Sequence, residues 1–252
     1  MGLVRYRRVG ESAAEWGWME GDVLHEVEGD PLAGFETVSR ARGDYTLLAP
    51  TLPTKIVAVG RNYAAHAQEL GNPLPERPLL FLKPPSAVIA DGEEIFFPPV
   101  GEEFHYEAEL AVVIGRVASR VSEEEAAGHI LGYTCANDLT IRDLQRDDGQ
   151  WARAKGFDGS CPLGREISPE LPGDARVRGY LNGELVQDGE VSDMVFGVER
   201  LVSYISQAIT LLPGDVVLTG TPAGVGELRP GDEFRVEVTG VSELANPVAG
   251  RR

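Results

Sequence analysis

A chain of 252 residues, 42% hydrophobic and 25% charged, is long enough for one well-buried core plus a small appendage and is ordinary for a soluble globular protein. Its formal net charge of −17 disfavours nucleic acid as a partner, because neutralising phosphates needs a basic surface. No apolar run approaches a membrane span, and MGLVRYRRVGE has no apolar stretch behind its arginines, so neither a membrane protein nor a secretory leader is expected and the cytoplasm is the default.

Residues 1–50 carry short apolar segments broken by turn signals (VEGDPLAG, RARGDY) and read as a small β-rich region; Pro50 and Pro53 mark the junction to a larger domain, 51–252. KIVAVG is a β-branched run ending in glycine, a buried strand. It feeds RNYAAHAQELG, a helical stretch ending at Gly71. After the Pro-rich loop NPLPERP comes the strand LLFLKP, stopped by Pro84 and Pro85, then IFFPP. HYEAELAVVIG reads as a single strand closed by Gly115. In SEEEAAGHI, Ser122 stands three residues before Glu125, a capping box that predicts a short helix. LGYTCAND is a further strand. The polar, glycine-containing stretch 142–164 reads as a long irregular loop, and loops of that length are usually functional.

VRGYLNGELVQDGE is a hairpin turning at Asn182-Gly183. Leu201, Ile205, Ile209 and Leu212 recur at helical spacing up to Pro213-Gly214. GDVVLTGTPAGVG runs from a strand into a glycine-rich turn, and DEFRVEVTGV is expected to be the last strand. The balance predicts a mixed, mostly β (α+β) domain with a few short helices, not a doubly wound sheet.

Cys135 and Cys161 form no C-x-x-C pair and read as buried free thiols. Of 23 basic residues only Lys55, Lys83 and Lys155 are lysines. Coding bias or a thermophilic background is the plain cause of the arginine excess, but each surviving lysine is then a candidate for a role that needs a compact charge or a shiftable pKa. Lys55, beside a strand, reads as structural; Lys83 and Lys155 stay candidates.

Glu107 and Glu109 are two residues apart in a strand and so share a face, with Tyr106, Ala108, Leu110 and Val112 on the other. Side by side they repel unless a cation lies between them, and Mg²⁺ or Ca²⁺ suits an all-oxygen site. A solvated strand face is the plain alternative. Asp138, at the end of the next strand, could complete a three-carboxylate site with room left for a ligand; Asp143 and Asp147 are possible substitutes. On a helix His66 and Glu69 share a face, so the carboxylate could fix the imidazole for proton transfer or water activation; a surface pair is the alternative. His105 stands next to the carboxylates, while His25 and His129 have no evident partners. TGTPAGVG lacks the lysine and spacing of a phosphate loop, but its N–H groups and a threonine hydroxyl could meet a carboxylate.

The run VGRNYAAHAQELG, FLKP, HYEAELAVVIG, NDLTIRDLQ, KGFDGSCPLG and LLPGDVVLTGTPAGVG closely resembles the fumarylacetoacetate hydrolase family, in order over about residues 51–247. The resemblance implies that family's mixed β-sandwich roll and a homodimer. It implies Mg²⁺ (or Mn²⁺) on Glu107, Glu109 and Asp138, a catalytic His66–Glu69 pair on a lid helix, and a catalytic Lys155. It also implies a substrate pocket lined by Lys83, Arg142, Gln145 and Thr221, with Arg142 and Thr221 holding a carboxylate. Arg165 departs from the pattern, since many members carry proline there, and is expected to alter a loop only.

Substrates of such proteins share a 2-oxo acid or its enol, whose enolate a cation stabilises. That enolate serves tautomerisation, decarboxylation or C–C hydrolysis. The segment RDLQRDDGQWARAKGFD is most similar to single-domain bacterial members of aromatic-compound catabolism. The first expectation is therefore isomerase or decarboxylase action on a 2-hydroxyhepta-2,4-diene-1,7-dioate-type diacid. Acylpyruvate or fumarylacetoacetate hydrolysis is second and oxaloacetate decarboxylation third. The contrasting reading is a non-catalytic family member that keeps only the metal.

Overall fold

The computed structural model describes every residue except 33, 70, 72 and 252. The architecture is mixed and mostly β, as the patterning predicts. Residues 2–48 form a five-stranded antiparallel sheet of Gly2–Arg8, Glu15–Glu20, Val23–Asp30, Gly34–Arg40 and Tyr45–Leu48, in spatial order fourth, third, second, first, fifth. It docks on the larger body through reciprocal bonds between the N–H and C=O groups of Leu3 and Ile167, at 2.9 and 2.8 Å. Leu3, Ile167 and Val113 bury together there.

The sheet that matters for function has the order Ile130–Asn137, Ala108–Ile114, Val216–Leu218, Ile56–Gly60, Leu79–Lys83. All neighbours are antiparallel except Val216–Leu218 and Ile56–Gly60, which run parallel. A second five-stranded sheet faces it, ordered Glu184–Glu190, Arg176–Leu181, Glu233–Val238, Ser242–Arg251, Ile95–Phe97. Between them lies the main core, including Leu110, Val112, Cys135, Val177, Phe234, Val236 and Leu244. Tyr106 stacks on Phe234 with ring centroids 4.2 Å apart. Packing at this density is what holds strand ends in fixed relative positions.

Local signals materialise where the chain supplies its own partners. Ser122 Oγ accepts from Glu125 N–H at 3.3 Å and Glu125 accepts from Ser122 N–H at 3.0 Å, capping the helix Glu123–Ala126. Asn182 and Gly183 have φ of 52° and 85°, the left-handed pair that a tight hairpin turn requires.

Four expectations change. HYEAELAVVIG is two strands, Phe104–Tyr106 and Ala108–Ile114, in different sheets. They part at Glu107, whose N–H goes to the side chain of Asn137 at 3.0 Å instead of to a strand. The stretch 142–164 contains two short helices, Arg142–Asp147 and Ala152–Lys155, too brief to show a periodic face. The helix expected to reach Leu212 is Val198–Ser206, because Leu211 leaves it to exchange two 2.9 Å bonds with Ala118. DEFRVEVTGV is not the last strand; Ser242–Arg251 follows, its alternating burial masked in sequence by Pro247 and Gly250.

Candidate active centre

The break at Glu107 turns one ladder into a site. Asn137, paired opposite Ala108, holds Glu107 N–H with its side chain, and the N–H of Asp138 donates to the carbonyl of Glu107 at 2.9 Å. Glu107 just before Ala108–Ile114, Glu109 within that strand and Asp138 just after Ile130–Asn137 therefore converge, with one carboxylate oxygen of each within 4.8 Å of the others. They are 4%, 1% and 1% exposed, so water screens little of their mutual repulsion.

Cationic side chains surround them. Lys155 Nζ donates to Glu107 Oε2 at 2.7 Å and to Asp138 Oδ2 at 2.5 Å. Lys83 Nζ donates to Asp138 Oδ1 at 2.6 Å, and Arg142 Nη2 to Glu107 Oε1 at 2.5 Å. Burial alone would raise the Glu107 carboxyl, but Lys155 and then Arg142 outweigh it and hold it well below the usual carboxylate range. Burial also opposes the charge on Lys155, yet Asp138 and Glu107 keep its ammonium above the ordinary lysine value. Among the described residues no cationic side chain bonds Glu109 directly. Burial, then repulsion from Asp138 and Glu107, pushes it well above the normal range, against the charge of Lys155 and one bond from Gly220 N–H at 2.8 Å. A buried all-oxygen cluster with one under-compensated carboxylate fits a hard divalent cation.

The three carboxylates, Lys155 and Arg142 line a cavity of about 390 Å³. His66, on the helix Ala64–Glu69, faces it with Nδ1 3.3 Å from Glu69 Oε2. Burial is the largest influence on His66 and, with Arg142, outweighs Glu107 and Glu69, so the imidazole sits below its ordinary pKa and is neutral near pH 7. Glu69 also accepts from Gly224 N–H at 3.1 Å, tying the helix to the glycine-rich turn.

The remaining expected residues divide. Arg142 and Gln145 line the cavity and bond each other at 2.9 Å, and Arg142 Nε is buried without a partner. Thr221 lines it too, but its hydroxyl proton is committed to the carbonyl of Ala108 at 2.8 Å. Lys83 stands behind Asp138, outside the lining. Asp143 turns away to the N–H groups of Glu102 and Glu103. Lys55 pairs with Asp215, and His25 stands beside Glu20 in the N-terminal sheet. His105 lies in the strand beside Glu107 and does not line the cavity; its Nδ1 and that of His129 have no hydrogen-bond partner. Both cysteines are buried free thiols, and burial pushes Cys161 up to about 12.

Sequence reasoning missed Arg61, Phe81, Arg146 and Trp151 in the lining. Trp151 meets Phe81 edge-on at 5.4 Å, and Lys155 Nζ lies 5.0 Å from the Phe81 ring centroid. A tryptophan inside a polar loop was the available signal. Gln187, which bonds Thr221, was also missed; nothing in a hairpin strand marks it.

The fumarylacetoacetate (FAA) hydrolase C-terminal family matches residues 55–249, and the Rv2993c-like N-terminal family matches residues 1–50. This chain belongs to the fumarylacetoacetate hydrolase family. It is similar to the crystal structure of 5-carboxymethyl-2-hydroxymuconate delta-isomerase from Mycobacterium smegmatis, 41% identical over 100% of both chains with a TM-score of 0.91. The 2-hydroxyhepta-2,4-diene-1,7-dioate isomerase from Mycobacterium marinum is 38% identical, with a TM-score of 0.90 and 99% and 98% of the two chains covered. The mitochondrial oxaloacetate tautomerase FAHD2B of Bos taurus is 40% identical over 82% of this chain and 70% of its own. Among the described residues no helix is long and apolar enough to cross a membrane.

Proposed function

We infer that this chain is a divalent-cation-dependent enzyme that moves a proton on a small 2-oxo (2-enol) diacid, most specifically an isomerase of the 2-hydroxyhepta-2,4-diene-1,7-dioate type. One observation carries the reading: a buried three-carboxylate cluster, opposed by Lys155 and Arg142, shares a cavity with a neutral His66. Glu107, Glu109 and Asp138 would hold Mg²⁺ or Mn²⁺, which supplies Lewis acidity for charge developing on the substrate's 2-oxygen.

The chain's own groups do the rest. Lys155 adds fixed positive charge at the carboxylates. Arg142, on the cavity wall, supplies positive charge for a substrate carboxylate. His66 accepts the proton at Nε2 while Glu69 holds Nδ1 and so the tautomer. The bond from Gly224 to Glu69 keeps the His66 helix seated and limits water at the reacting atoms.

Similarity to two proteins named as isomerases supports proton transfer over C–C cleavage. A second reading, keto–enol tautomerisation of oxaloacetate, is favoured by the tautomerase relative and uses the same groups. A homodimer is part of the proposal and is checked by sedimentation equilibrium.

The direct test is calorimetric titration of oxalate, which mimics the carboxylate and enolate oxygens, into metal-stripped protein with and without Mg²⁺. Binding should require Mg²⁺ and disappear in Glu109→Gln. Glu109→Gln should also raise the Tm of the metal-free protein by roughly 2–4 °C, the shift that about 1 kcal/mol produces at this size, because it removes an under-compensated buried carboxyl. No oxalate binding in either condition would sink the enzymatic reading.

A further inference from the structure

Gln187 lies in the strand Glu184–Glu190, in a different sheet from the strands that the three carboxylates lie in or flank, and is 1% exposed. Its carboxamide is fully used. Oε1 accepts from the N–H of Ala108 at 2.9 Å, while Nε2 donates to Thr221 Oγ1 at 2.8 Å and to the carbonyl of Pro222 at 2.8 Å. Thr221 closes the circuit by donating its hydroxyl proton to the carbonyl of Ala108 at 2.8 Å.

Ala108 is the residue between Glu107 and Glu109. One edge of its strand pairs with Asn137. On the other edge the pairing strand Val216–Leu218 reaches only to Ala111. Beyond that point the Gln187 amide and the Thr221 hydroxyl meet the N–H and C=O of Ala108, a donor and acceptor where a further strand would have stood. The same contact reaches Glu69. Gly224 packs so closely on the hairpin that a Cβ there would fall 2.0 Å from the carbonyl oxygen of Val186, and its N–H holds Glu69. An apolar side chain would fill the space equally well, but it could not hold a peptide's direction. A buried, fully satisfied polar network specifies geometry.

We propose that Gln187 is a positioning residue for the carboxylate centre: through the Ala108 peptide it sets the spacing and direction of Glu107 and Glu109, and it registers the glycine-rich turn against them. The role rests on the cation-binding reading given above. Removing groups that orient metal ligands typically weakens metal affinity by about 10–100-fold.

The experiment is Mn²⁺ titration of the full chain, followed by electron paramagnetic resonance, for wild type, Gln187→Met, Thr221→Val and Glu109→Gln. The thermal midpoint of each metal-free protein is measured alongside. Gln187→Met should raise the Kd for Mn²⁺ by at least about tenfold in protein that still melts cooperatively. Thr221→Val, which keeps the side-chain shape, should shift it in the same direction. In turnover of a 2-oxo diacid, kcat should fall more than KM changes. A folded Gln187→Met with a Kd within about twofold of wild type overturns the proposal. Should Gln187→Met not fold, Thr221→Val decides by the same criterion. Binding lost in Glu109→Gln but kept in Gln187→Met removes only the positioning role. Wild type that binds no Mn²⁺ removes the cation reading and this inference together.

Discussion

His66 shows how one side chain's environment sets a usable chemistry. Burial disfavours its cation, Glu107 and Glu69 favour it, Arg142 opposes it, and the net effect is a pKa below the ordinary 6.5. In its proposed role as base His66 must be neutral, so activity should be lost as pH falls through that lowered value, and the acid limb of kcat should lie below pH 6.5. Glu69→Gln removes an interaction that favours the cation. It should move the limb still lower while reducing kcat, because the tautomer is no longer held. His66→Gln should lose about 10²–10⁴-fold in kcat. A pH–rate profile of the three proteins checks this, and a limb that rises in Glu69→Gln would contradict it. The pair was legible as an i,i+3 helix match; the burial that lowers the pKa was not, since it comes from the cavity and not from the helix.

Among elements, the shorter the interaction range, the better the sequence reported it. The capping box at Ser122 was legible because both of its bonds lie within four residues. Ser122→Ala should cost about 1 kcal/mol and lower Tm by roughly 2–4 °C. It should leave kcat/KM unchanged, since Ser122 does not line the cavity; calorimetry and steady-state rates measure both. The Asn182-Gly183 turn was legible for the same reason. The split of HYEAELAVVIG at Glu107 was not. Alternation places Glu107 and Glu109 on one face whether or not the ladder continues, and it is the side chain of Asn137, thirty positions on, that interrupts it.

For the whole molecule the relevant quantity is charge. At −17 the chain repels an anionic ligand at long range, while Arg61, Arg142, Arg146 and Lys155 gather at the cavity. Long-range repulsion is screened over about 10 Å at 0.1 M salt, whereas contacts inside the cavity are not. The association rate of oxalate, followed by stopped flow with Mg²⁺ saturating, should therefore rise as KCl is increased. A rate that falls with salt would show that the cavity's positive field reaches far enough to govern encounter.

What the sequence determined by itself is what repeats or closes locally: mostly β patterning, a small β-rich N-terminal region, two glutamates on one strand face, a His–Glu pair on one helix, and two conspicuous lysines. Only the tertiary structure decided how these meet. It placed Lys83 against Asp138 across 55 positions and Gln187 against Ala108 across 79. It also committed the Thr221 proton to the backbone. The physical reason is that side-chain periodicity follows from backbone geometry within a few residues, whereas a buried polar group takes whichever partner the crossing of distant strands brings within about 3 Å.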